Sequence, residues 1–129
     1  QLAGRIDTSI HPRDLSAGQQ LALVLALQLV KDAPVLILDE PTRGLDYAAK
    51  RALAKQLKNL RATNRSILLA THDIEFVAMV ADRVLTLVDG TLVSDESPIV
   101  ALGAGSSRAS QIAEITATPG LITIEQVKR

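Results

Sequence analysis

The sequence predicts an α/β fold: a parallel sheet with flanking helices, and an antiparallel hairpin at one edge. Three observations predict it. First, Val35-Leu36-Ile37-Leu38 and Ser66-Ile67-Leu68-Leu69-Ala70-Thr71 are short aliphatic runs, the composition of strands buried on both faces. Second, a long amphipathic segment separates them, and helix and strand continue to alternate afterwards. Third, the aliphatic run at residues 83–88 meets Thr91-Leu92-Val93 through Asp89-Gly90, a strong two-residue hairpin turn.

Length and composition narrow the function classes. A chain of 129 residues is one domain at most, or a piece of one. Hydrophobic residues make up 47% of it, enough for a core. Lysine plus arginine number 14, as do aspartate plus glutamate, and no basic stripe stands out, so no nucleic-acid partner is expected. The absence of cysteine excludes disulfide scaffolds and thiolate metal sites. Tyr47 and Phe76 are the whole aromatic complement, too few for a base-stacking platform. The longest apolar run, residues 21–30, is broken by Gln28 and too short to span a bilayer. The amino end has no signal-peptide pattern, and without an initiator methionine Gln1 is not expected to be a natural beginning.

Taken in order, the elements follow from local chemistry. Residues 1–8 are weakly patterned. His11-Pro12-Arg13-Asp14 reads as a connector, because Pro12 blocks a continuing helix. Ser16 and Gln19 have capping-box spacing at the head of a helix that is apolar all round, so that helix is expected to be buried. A capped helix start also presents free N–H groups and a positive dipole end to an anion. Residues 31–34 end the helix, and the strand at 35–38 runs into Asp39 and Glu40. Two acids on a buried strand make sense at its carboxyl end, where open α/β sheets place their ligands.

Asp46 then caps a helix over residues 47–62. Ala49, Leu53, Leu57 and Leu60 form its apolar stripe, and Lys50, Arg51, Lys55, Lys58 and Arg61 its wet side. The strand at 66–71 delivers a second polar tip, Thr71-His72-Asp73. A short helix at 74–81 precedes the hairpin. Residues 95–107 read as a linker with one helical turn. Residues 108–115 and 123–128 read as short helices, the second opening with capping-box spacing at Thr123 and Gln126.

In this order and spacing the motifs are specific. Leu15-Ser16-Ala17-Gly18-Gln19 resembles the signature of ATP-binding-cassette (ABC) ATPases. Residues 35–40 resemble their Walker B strand, residues 41–46 their D-loop, and His72 their switch histidine. The resemblance covers residues 13–94 and implies a P-loop-type sheet. It implies ATP and Mg²⁺ as cofactors, with Asp39 on the metal, Glu40 as general base toward the attacking water, and His72 at the γ-phosphate. It further implies that Ser16, Ala17, Gly18 and Gln19 close over ATP bound to a second ABC ATPase domain, and that Asp46 reaches toward that partner. Ala17 departs from the usual glycine, and Gln20-Leu21-Ala22-Leu23 from the usual polar and basic residues. Transmembrane transporter subunits are the other implied partners, at the cytoplasmic face of the membrane.

No Gly-Lys-Ser or Gly-Lys-Thr occurs in the sequence, so the phosphate loop of the family is missing. Residues 1–94 are therefore expected to be the carboxyl-terminal part of a cassette, and 95–129 a linker and helical tail. In the family the phosphate-loop strand lies between the strands at 66–71 and 83–88. The first of these is thus expected to pair with 35–38, and the second to lack its usual neighbour. The isolated chain is expected to bind ATP poorly. The connector, D-loop and tail most resemble importer ATPases of the energy-coupling-factor type. The alternatives are a non-catalytic partner that offers only the signature, and a non-transport ABC ATPase acting on DNA or the ribosome. Balanced charge argues against the last.

Overall fold

The computed structural model describes Asp7 and residues 9–103. The expected helices at 108–115 and 123–128, the Thr123/Gln126 cap and most of residues 1–8 lie outside the described residues. The chain divides into two compact units, Gln1–His72 and Asp73–Arg129.

The first unit opens with a one-turn 3-10 helix, Pro12–Asp14. His11 caps it, its Nδ1 accepting from the Arg13 N–H at 3.2 Å. Helix α1, Ala17–Val30, carries the predicted capping box. The Gln19 N–H donates to Ser16 Oγ (3.3 Å), and the Ser16 N–H to Gln19 Oε1 (2.9 Å). Strand β1, Val35–Asp39, is followed by helix α2, Tyr47–Ala62, and strand β2, Ser66–Ala70. Asp46 caps α2 as the sequence predicts, Oδ1 accepting from the Ala49 N–H at 2.7 Å. β1 and β2 pair in parallel, Leu36 opposite Ile67 and Asp39 opposite Ala70. Thus the strand at 66–71 does pair with the strand at 35–38. At their amino ends Arg65 ties the two preceding turns together through Asp32 at 2.6 Å.

The core of this unit is Leu15, Leu25, Leu36, Leu38, Leu53, Ala54 and Leu57. Two expectations are corrected here. Residues 35–38 are not buried on both faces: Leu36 and Leu38 are covered, while Val35 and Ile37 (69% exposed) are open, and Leu68 beside them on β2 is open too. Nor is α1 buried all round: Leu25 is, but Val24, Leu27 and Val30 (83%) face outward. The reason is one of partners. Aliphatic composition fixes what a face can bury, and among the described residues only one face of each element finds a cover.

The second unit holds helix α3, Ile74–Val80, strands β3, Val84–Val88, and β4, Thr91–Glu96, and the single-turn helix α4, Pro98–Leu102. β3 and β4 form an antiparallel hairpin separate from the β1–β2 sheet, so β3 has only β4 as a strand partner among the described residues. Its turn is Asp89 (φ 49°) and Gly90 (φ 75°), the double positive φ of a type I′ turn. β4 runs two residues past Ser94 into the stretch read as linker, because Asp95 is held by the Arg83 guanidinium across the strands. The one helical turn expected in that stretch is α4. Phe76, Ala101 and Leu102 are the buried centre of the unit. Among the described residues no helix is long and apolar enough to cross a membrane.

Candidate functional site: the carboxyl ends of β1 and β2

Parallel strands in register end at the same level, so the polar residues that follow β1 and β2 emerge side by side. Glu40 continues the ladder for one more rung, its N–H donating to the Ala70 carbonyl at 2.8 Å. Its φ of 44° then turns the chain out of the extended region. Two tight turns follow: the Arg43 N–H donates to the Glu40 carbonyl (3.1 Å), and the Leu45 N–H to the Thr42 carbonyl (3.1 Å). Thr42 is buried inside this loop.

The Glu40 carboxylate is reached by three donors from the end of β2. The His72 N–H donates to Oε1 at 3.0 Å, His72 Nδ1 lies 2.7 Å from the same oxygen, and Thr71 Oγ1 donates to Oε2 at 3.0 Å. An ionised carboxylate only accepts, so the shared proton sits on Nδ1, and Nε2 is left outward on a ring that is 90% exposed. Glu40 itself is 33% exposed. The His72 side-chain hydrogen bond holds the Glu40 carboxyl below its ordinary value of 4.5; burial pushes it back up, and the Thr71 hydroxyl and the His72 N–H add further lowering.

Asp39, the last residue of β1, is exposed, and its carboxylate has no partner among the described residues. Those residues contain no group of three or more His, Cys, Asp or Glu side chains fit to hold a metal. A Mg²⁺ ion that keeps several waters and takes phosphate oxygens asks the protein for only one or two carboxylates, so a single free acid at this strand end suits it.

The start of α1 comes close to the same loop. Gly44 has φ +74°, and a Cβ built there would meet the Ala17 Cβ at 3.5 Å, so Gly44 faces the first residue of α1. Ala17, Gly18 and Gln19 are the first three residues of α1. Gln19 N–H is taken by Ser16 Oγ, while those of Ala17 and Gly18 are orphans of the first turn. Ser16 accepts through Oγ, so its own hydroxyl proton stays free to donate. The structure therefore brings Glu40 to His72, and Ala17 close to Gly44. Asp46 lies at the head of α2. Thr71 was seen in the sequence only as part of a polar strand end; the signal that marks it is a hydroxyl directly before the histidine, one rung beyond the Asp39–Ala70 pair.

Comparison with known proteins identifies the family. The family described as "AAA domain, putative AbiEii toxin, Type IV TA system" matches residues 6–78, over half the chain. A protein of Streptomyces coelicolor named "Putative ABC transporter ATP-binding protein" is 45% identical over 99% of this chain and 23% of its own length. One of the same name from Pyrococcus horikoshii is 46% identical over 64% of this chain and 32% of its own. An ATP-binding cassette solved as a dimer with ADP and Pi superposes with a TM-score of 0.61 at 30% identity, over 67% of this chain and 38% of that one. The chain thus spans about a quarter of the length of the first of these relatives and about a third of the second. With its strand-end acids, its capped signature helix and these relatives, the chain belongs to the ABC transporter ATP-binding domains.

Proposed function

We propose that the polypeptide containing this chain hydrolyses ATP to drive an ABC importer, as one of two cassettes bound to transmembrane subunits at the cytoplasmic face of the membrane. The observation that supports this most is the Glu40–His72 pair, built from the ends of two strands that are neighbours in space but 32 residues apart in sequence. Phosphoryl transfer to water requires positioning and charge stabilisation more than covalent chemistry. Glu40 orients the attacking water and takes its proton. His72 holds Glu40 through Nδ1–H and, with a second proton on Nε2, donates from that nitrogen to the γ-phosphate. Asp39 holds Mg²⁺, which when bound with ATP offsets charge on the phosphate oxygens. The Ser16 hydroxyl and the free N–H groups of Ala17 and Gly18 close on the γ-phosphate of ATP held by the partner cassette. Gln19 locks that helix start through the capping box, and Asp46 extends toward the partner. The energy-coupling-factor subtype is the narrower form of this proposal, supported by the connector and D-loop residues alone.

The test uses the full-length polypeptide. Glu40→Gln is expected to keep ATP binding within a few-fold and to slow hydrolysis by at least about a hundredfold, the usual worth of a general base. Turnover close to wild type would remove Glu40 from this role.

A further inference from the structure

Glu40 has a second anchor. A glutamate carboxylate turns broadly about its last torsion, so contacts at Oε1 alone leave Oε2 free to swing. Here Oε2 accepts from Thr71 Oγ1 at 3.0 Å, while Oε1 accepts from His72. Thr71 directly follows β2, one rung beyond the Ala70–Asp39 pair, which places it beside Glu40 on the opposite strand. Threonine is branched at Cβ and stiff about χ1, so its hydroxyl is a rigid post. We propose that Thr71 is a positioning residue for Glu40, fixing the plane of the carboxylate so that Oε1 is presented on the His72 side. This rests on the reading of Glu40 as the base.

One consequence separates positioning from bulk structure. Without the Thr71 donor the carboxylate loses orientation, which slows the chemical step and leaves nucleotide binding alone. Thr71→Val keeps the shape and the β-branch and removes only the hydroxyl. Thr71→Ser keeps the hydroxyl.

The experiment measures kcat and KM of steady-state ATP hydrolysis by the full-length polypeptide, for wild type, Glu40→Gln, Thr71→Val and Thr71→Ser. The Glu40→Gln arm is read first. Turnover that survives it overturns the function reading, and this inference with it. Given a dead Glu40→Gln, Thr71→Val is expected to lower kcat about tenfold with KM for ATP within about twofold. Thr71→Ser recovers most of the rate. A Thr71→Val enzyme with wild-type kcat overturns the positioning role while leaving Glu40 as the base. So does a Thr71→Ser enzyme as slow as Thr71→Val, which would make the residue a packing element.

Discussion

Glu40 is the residue on which the site turns, and its backbone says so. Four non-glycine residues among those described have positive φ: Asp32, Glu40, Asn64 and Asp89. Three are Asp or Asn, the side chains that tolerate the left-handed region at turns. Glutamate has no such tolerance, and holding it there costs about 1–3 kcal/mol. The Ala70 rung and the three donors on the carboxylate hold it in place. The sequence showed the acid and the histidine as polar tips on greasy strands. It did not show the turn of φ or the Thr71 contact, which depend on strand register rather than on pattern. A pH dependence follows with a definite sign. The Glu40 carboxyl lies below its ordinary value when folded, so its contribution to stability is present above about 4.5 and lost as pH falls through the folded value. Measured by thermal unfolding of the full-length polypeptide, the stability of wild type relative to Glu40→Gln is expected to be flat at neutral pH and to decline below about 4.5. A difference that stays constant into acid would contradict the hydrogen-bonded, ionised Glu40.

At the level of elements, the caps were the most legible features. Ser16 and Asp46, the two caps predicted among the described residues, each accept from the N–H three residues on, because side-chain oxygens at these positions satisfy orphan donors whatever the tertiary context; Asp73, read only as part of a polar strand tip, does the same for α3. α2 falls on Tyr47–Ala62 as predicted, since its stripe of Leu53 and Leu57 has a sheet to cover and Arg51, Lys55 and Lys58 stay in water. Arg51 also lies 6.0 Å from the Tyr47 ring centre, a cation–π distance. Asp46 carries two assignments, a cap that is seen and a partner contact that is proposed. They separate by substitution. Asp46→Ala is expected to cost about 1 kcal/mol and lower the first unfolding midpoint by a few degrees, whereas Asp46→Asn, an equally good cap, leaves it in place. Equal midpoints for Asp46→Ala and wild type would show that the cap is not worth holding.

For the molecule as a whole, the sequence conveyed element order and the site better than burial. Periodicity reads how many faces an element could bury. It does not say whether the covering polypeptide belongs to the same 129 residues. Ile37 and Leu68 on the open face of the β1–β2 sheet, and Leu27 and Val30 on α1, have the composition of core and the exposure of surface. The chain spans about a quarter of the length of its Streptomyces relative, and the cassette it superposes on is longer by more than half. What the chain does hold complete is the meeting of two strand ends, and the account stands on Glu40 and His72 working as one unit. The most direct measurement is a double-mutant cycle on kcat for ATP hydrolysis in the full-length polypeptide: His72→Ala, Glu40→Gln, and both together. Residues that act as a unit give a double variant no slower than the slower single one. Losses that multiply, each single penalty appearing in full in the double variant, would show that the two side chains act independently and that their hydrogen bond has no part in the reaction.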